Sequence, residues 1–278
     1  MSYRLPQLKY AARTDIGSYR QVNEDAMLCA GPVFLVADGV GGHDAGEIAA
    51  AAAIDAFTHL TQHPYVSLDA VGAAYARARA AVNRISGTTE QGAGTTLTGI
   101  FLTRQEQGFA WLIINVGDSR VYRFRDGKLQ QITVDHTLRN EMLASGVALN
   151  DPRLPAGNVI TRALGSGADT LDTWLLPLTA GERLLVCSDG LTDTLSDAEI
   201  AAGLALAVTE TSANYLLDTA LEKLPRDNVT LLLVDVLDAG QHQQLQPGVA
   251  TAEKFIDDCD TADLTATVQQ TAEYGKGL

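Results

Sequence analysis

At 278 residues the chain is long enough for one large domain or two small ones, and it can bury a full core. Hydrophobic residues at 46% and charged residues at 19% are the proportions of a globular protein, and they exclude disorder over most of the length. Acidic residues outnumber basic ones 34 to 20, a formal charge of −14, which argues against a nucleic-acid binder and favours the company of cations.

Residues 1–12 carry no apolar leader, and no run approaches the ~18 residues needed to span a bilayer. The expectation is therefore a chain without a membrane segment, resident in the cytoplasm. Cys29, Cys187 and Cys259 are odd in number and lie outside any C-x-x-C, so neither a disulfide frame nor a zinc knuckle is indicated.

In chain order, residues 9–14 and 26–30 read as short strands joined by a polar loop holding Arg20, Glu24 and Asp25. Residues 33–37, Val-Phe-Leu-Val-Ala, form a continuous apolar run, the pattern of a strand buried on both faces. The run ends on a carboxylate, Asp38. Gly39, Gly41, Gly42 and Gly46 follow and let the backbone come close to whatever Asp38 holds, while Asp44 and Glu47 form a D-x-x-E helix opening. Neither G-x-G-x-x-G nor G-x-x-x-x-G-K-[ST] is present, so these glycines mark no known nucleotide loop.

Two helices are expected next. The first, over residues 45–60, is alanine-rich and suited to close approach by another element; the second shows Val71, Tyr75, Ala78, Val82 and Ile85 on one face. Residues 94–103, 109–116, 120–125 and 128–132 then read as a strand meander with Asp126-Gly127 as a tight hairpin turn. An irregular insert over residues 136–172, with a short helix at 137–145, has the character of a functional lid. A strand at 183–187 ends in Ser188-Asp189-Gly190, helices occupy 192–224 with a capping box from Ser196 to Glu199, and a last strand over 229–236 follows Asp227-Asn228.

Acidic residues thus mark the ends of several apolar strands. Asp25, Asp38, Asp118, Asp189 and Asp227 are too many carboxylates to bury without compensation, because uncompensated buried charge is prohibitive. All-oxygen ligation selects a hard ion such as magnesium or manganese over zinc. Two such ions ~3.5–4 Å apart polarise a phosphoryl oxygen and acidify a bridging water, so the implied reaction is phosphoryl hydrolysis. Arg20 adds a guanidinium suited to bidentate phosphate binding.

Six motifs carry a resemblance: Arg20-x-x-Asn-Glu-Asp25, Ala37-Asp-Gly-Val-Gly-Gly-His43 with Gly46-Glu47, Gly94-Thr-Thr96, Gly117-Asp-Ser-Arg120, Ser188-Asp-Gly-Leu-Thr-Asp193 and Asp227-Asn-Val-Thr230. In this order they resemble the metal-dependent type 2C protein serine/threonine phosphatases, most closely the bacterial branch, over about residues 8–238. The resemblance implies an α+β fold, an α-β-β-α sandwich of two antiparallel sheets flanked by pairs of helices, with the insert as a flap that takes part in substrate choice.

It further implies two tightly bound Mn2+ or Mg2+ ions and a third, looser one. Asp38 would bridge the tight pair, the Gly39 carbonyl would bind the first, and Asp189 and Asp227 the second. Asp118 would hold the third with Asp189 and Asp193, while Glu24 and Asp25 match an acidic pair that reaches the metals directly or through water. Arg20 matches the phosphate-binding arginine. A metal-bridging hydroxide would attack phosphorus in line, without a covalent phosphoenzyme. The animal branch carries a candidate general acid two residues after the bridging aspartate, but Val40 occupies that position here; His43 or a water is left for the role.

The activity implied is removal of phosphate from serine and threonine in proteins, reversing a cognate serine/threonine kinase. A catalytically silent phosphoprotein-binding module and a hydrolase of small phosphate esters are the alternatives. Residues 1–238 are expected to form the catalytic domain and residues 239–278 an acidic, flexible tail, with a short helix near 252–259.

Overall fold

The computed structural model describes residues 4–41, 45–90, 92–106, 108–155, 157 and 159–240. The chain opens with strands β1 (Gln7–Asp15), β2 (Asp25–Ala30) and β3 (Val33–Gly41). Helices α1 (Ala45–Thr58) and α2 (Leu68–Ser86) follow, separated by a 3-10 turn at His59–Gln62. Then come β4 (Ala93–Thr95), β5 (Leu97–Gln105), β6 (Gly108–Val116), β7 (Arg120–Arg125) and β8 (Lys128–Gln131). The insert contains α3 (Leu138–Ala144) and leads to β9 (Asp172–Pro177) and β10 (Arg183–Cys187). A single turn, α4 (Asp189–Thr192), precedes α5 (Asp197–Leu204), α6 (Thr209–Glu222) and β11 (Val229–Asp238).

The strands build two antiparallel sheets, one ordered β1-β11-β10-β7-β8, the other β2-β3-β5-β6-β9 with β4 added to β3. Strand alternation explains their stacking. Along β3, Leu35 and Ala37 pack towards α1 and α2 with Phe57, Tyr75 and Phe101, while Phe34 and Val36 face the other sheet with Trp111, Val186 and Leu232. The outer side of the β1-β11-β10-β7-β8 sheet, through Leu185 and Leu231, lies under Ile200 of α5 and Leu216 of α6. Three apolar layers therefore separate helices, sheet, sheet and helices, which is the expected sandwich. Ala49, Ala50 and Ala53 are fully buried, so α1 sits close on its sheet as its alanine content predicts.

Local signals also hold. Asp126 at φ 51° and Gly127 at φ 72° make the two-residue turn joining β7 and β8. Ser196 accepts from the Glu199 N–H while the Glu199 carboxylate accepts from the Ser196 N–H, closing the capping box of α5.

Three readings need correction. The meander is broken: β5 and β6 pair in one sheet and β7 and β8 in the other, so the chain crosses the sandwich at Gly117-Asp118-Ser119. The strand bearing Asp38 does not stop there but runs to Gly41, because β4 takes over pairing from β5, with Gly39 opposite Thr95. Residues 172–177, unassigned in the sequence reading, form an edge strand on β6, its alternation hidden by shortness and a closing proline. The tail from residue 241, with the helix expected near 252–259, lies outside the described residues; Ala239 still packs into the core between the sheets.

Candidate metal centre

The acidic residues gather around the ends of strands from both sheets. Asp25 and Asp38 are directly opposed across β2 and β3, so their side chains leave the same face of one sheet. Asp189 opens α4 just after β10, and Asp227 lies two residues before β11, both on the other sheet. Asp118 sits on the crossover between β6 and β7. The Asp38 carboxyl feels Asp25, Asp189, Asp227 and Asp118 together.

This crowding has an electrostatic signature. Burial, reinforced by Asp25 and its other acidic neighbours, holds the Asp38 carboxyl well above the usual carboxylate range. Burial pushes Asp25 up to about 7, against the opposing pull of hydroxyl donors on Thr230 and Ser188. Asp118 is pushed up to about 7 by burial and Asp189, and Asp189 to about 6 by burial and Asp193. Asp193 is also raised, mainly by burial. Carboxyls so arranged bind either protons or cations.

Whether a metal suits these residues can be judged from their oxygens. Asp25 Oδ1, Asp118 Oδ1 and Asp189 Oδ1 are buried without a hydrogen-bond partner, and buried acceptors left unpaired are costly unless a ligand completes them. Among the described residues no three or more His, Cys, Asp or Glu side chains form a ready metal cage. Oxygen donors suit a hard cation of the magnesium type, which completes its shell with waters, whereas a structural zinc takes its four donors chiefly from cysteine and histidine. The residues therefore fit Mn2+ or Mg2+.

The glycine loop has a specific task. A Cβ on Gly39 would overlap the Gly46 carbonyl at the start of α1 and lie 2.8 Å from the Glu24 carbonyl, while the Gly39 N–H donates to that carbonyl at 3.1 Å. A Cβ on Gly46 would come within 2.6 Å of Glu24 Oε1. Only glycine at both positions lets β3, the acidic pair and α1 close up around Asp38.

Arg20 reaches over the rim of the cluster. Its guanidinium donates to Asp227 Oδ2 at 2.7 Å and lies 3.4 Å from Glu24 Oε2, and the Asp227 bond holds its pKa above the ordinary arginine value. It is 45% exposed at the side chain, so the same fork can meet a ligand arriving from solvent. Val40, near the end of β3, is 49% exposed, and His43 falls outside the described residues. Apart from His43, every site residue expected from the sequence lies in or beside the cluster. Arg120 pairs with Asp135 through Nε and Nη2.

Several groups inside the motifs support the acids: Thr96, expected from its strand to support the site by packing, does so by hydrogen bonds, and Ser188 and Asn228 join it. Thr96 Oγ1 accepts from the Asp38 N–H at 3.0 Å, and the Thr96 N–H donates to the Asp38 carbonyl at 2.9 Å. Ser188 Oγ donates to Asp25 Oδ2 at 2.9 Å. The Asn228 amide donates to the Ile16 and Val22 carbonyls and accepts from the Glu24 N–H, pinning the Arg20 loop to the start of β11. The available signal was that Ser188 adjoins Asp189 and Asn228 adjoins Asp227, whereas Thr96 has no acid beside it in the sequence.

A family model for protein phosphatase 2C matches residues 18–226. The serine/threonine protein phosphatase PstP of Mycobacterium tuberculosis is 35% identical over 95% of this chain, which spans only 52% of that relative's length. The serine/threonine phosphatase stp of Listeria innocua is 33% identical over 80% of this chain and 94% of its own. The solved catalytic domain of PstP in complex with two manganese ions superposes with a TM-score of 0.72 at 36% identity, covering 83% of this chain and 99% of that one. Sequence, fold and motif order agree, and the chain belongs to the protein phosphatase 2C family, in its bacterial branch.

Proposed function

We propose that this chain hydrolyses phosphoserine and phosphothreonine in proteins with Mn2+ or Mg2+, and that residues 1–238 form the catalytic unit, followed by an acidic tail. The observation that carries this reading is the convergence of five aspartates from both sheets, three with unpartnered buried oxygens, beneath an exposed arginine fork. The relatives named as serine/threonine phosphatases, and the manganese held by PstP, support it.

Bound divalent cations would supply charge neutralisation for the phosphoryl oxygens and acidify water held beside phosphorus. The protein does the placing. Asp38, with the Gly39 carbonyl, Asp189 and Asp227, would hold the tight pair, helped by Asp25 and Glu24, and Asp118 with Asp189 and Asp193 the looser third. Arg20 would exchange its Asp227 contact for the substrate phosphate, matching two N–H donors to two phosphoryl oxygens. The leaving hydroxyl would take its proton from His43 or from water, since Val40 has none to give.

Among the described residues no helix is long and apolar enough to cross a membrane. The reading places the activity in the cytoplasm, opposite a cognate serine/threonine kinase. The test is hydrolysis of phosphothreonine and phosphoserine peptides by the full chain with manganese, beside Asp38→Asn and Asp189→Asn. We expect both substitutions to lower turnover at least a hundredfold with the fold intact. Undiminished activity in either, or faster turnover of small phosphate metabolites than of peptides, would overturn the reading.

A further inference from the structure

The crossover bearing Asp118 is held by a clamp that none of the roles above uses. Gly117 adopts φ +113°, and a Cβ there would lie 2.6 Å from Thr96 Cγ2, so the turn is tight and open only to glycine. His136 grips it twice: its N–H donates to the Gly117 carbonyl at 2.9 Å, and its ring Nδ1 accepts from the Gly117 N–H at 3.1 Å. Because Nδ1 accepts, the ring hydrogen belongs on Nε2, which lies 3.0 Å from Asp172 Oδ2. Arg162 Nη1 donates to Asp172 Oδ1 at 3.1 Å; its 3.3 Å approach to Nε2 then sets one donor beside another and is no bond.

His136 and Asp172 are 4% and 1% exposed, so the pair is sealed from water and its geometry is fixed. They are also the two ends of the flap. The His136 carbonyl accepts from the Thr161 N–H at 2.8 Å, tying the flap's returning arm to the same residue. From the other side, Asn115 Nδ2 donates to the Gly117 carbonyl, and Ser119 Oγ shares a hydrogen with Thr96 Oγ1 at 2.8 Å, directly behind Asp38. Between these anchors Asp118 presents a buried oxygen without a partner.

We infer that His136, seated between Asp172 and the Gly117 backbone, is a positioning residue that sets the aim of Asp118 and couples it to the anchorage of the flap. This rests on the proposed reading of Asp118 as a ligand of the looser cation. Groups that orient a ligand from behind are worth 10–100-fold in metal affinity, and the loss should fall on that ion because His136 holds Asp118's turn and bonds none of the other cluster acids.

The experiment is manganese titration of the full chain by calorimetry, with thermal melting and the Gly117 amide resonance followed alongside, in wild type, Asp118→Asn, His136→Ala and His136→Asn. Asp118→Asn identifies the ion that depends on Asp118. His136→Ala is expected to weaken that ion about 10–100-fold while leaving the tight ions within about threefold, and to expose the Gly117 amide to exchange. Asparagine places an acceptor where Nδ1 stood but cannot reach Asp172, so His136→Asn should keep the Gly117 bond and return the weak affinity to within about tenfold of wild type. If His136→Ala does not fold, the asparagine variant decides alone: its weak ion lost with the melting temperature preserved would overturn the inference. An unchanged weak ion in folded His136→Ala would overturn it as well. Should Asp118→Asn change no manganese affinity, the underlying reading of Asp118 fails, and the inference with it.

Discussion

Asp118→Asn should make the chelated protein more stable near neutral pH and less able to hold manganese. Asp118 is buried, and its pKa is raised from 3.8 to about 7. A group with a raised folded-state value binds its proton more tightly folded than unfolded, so between pH 3.8 and about 7 the unfolded chain gives up protons that the folded chain retains. Stability therefore falls as pH rises through that window, at ~1.4 kcal/mol per pH unit, or on the order of 4 kcal/mol in all. The amide is neutral and escapes this loss, though its own imperfect hydrogen bonding returns about 1–2 kcal/mol. At pH 8 without divalent ions, Asp118→Asn should be about 2–3 kcal/mol more stable than wild type, a rise in melting temperature of roughly 5–10 °C for a unit of this size. At pH 4.5 the gap should shrink by about 3 kcal/mol, and manganese at pH 8 should narrow it by stabilising wild type more. Urea titrations at the two pH values, with chelator and with manganese, measure each term. A variant no more stable than wild type at pH 8, or a gap that does not change with pH, refutes the electrostatic argument.

Gly39→Ala should cost about 3 kcal/mol or more and abolish tight manganese binding, because the new methyl overlaps backbone carbonyls that have nowhere to go; a variant with wild-type melting and calorimetry contradicts this. Arg20→Lys keeps the charge but loses the fork, so KM for a phosphopeptide should rise about tenfold with little change in kcat in steady-state assays. Ser196→Ala removes the cap of α5, whose hydroxyl bonds Glu199 and none of the cluster acids, and should lower stability by about 1 kcal/mol in urea melts while leaving hydrolysis intact.

Much of this arrangement can be seen in the residue order because each piece has a local cause. The two-faced burial of β3 shows in five consecutive apolar residues, and the hairpin at Asp126-Gly127 shows in residues that tolerate positive φ. What the sequence hid is non-local. The residues around Gly117 read as one more turn in a meander because hairpin and crossover glycines look alike; only the packing of Phe34 and Trp111 between two sheets decides that the chain changes sheet there. Strand β9 was hidden because six residues on a sheet edge carry too little pattern to separate from a loop. The site acids were recognisable from type and order, whereas the hydroxyls and amides that hold them depend on distances that no spacing encodes.

The position of the crossover also explains why the acids tolerate one another at all. Asp25 and Asp38 belong to one sheet, Asp189 and Asp227 to the other, and Asp118 to the single connection between β6 and β7. The apolar layer between the sheets, with Trp111, Val186 and Leu232 fully buried, contributes the cohesion that holds two acidic rims face to face. Each rim alone would relax its charges into water. A cation bound between them would replace repulsion by attraction along the whole edge, so metal affinity should rise in step with the rigidity of the sandwich. Weakening that layer far from any ligand, as Phe34→Leu would, should therefore loosen manganese binding as well as lower the melting point. Calorimetry on that variant separates the cases: a lower melting temperature with unchanged metal affinity would show that the acids hold their places without the core.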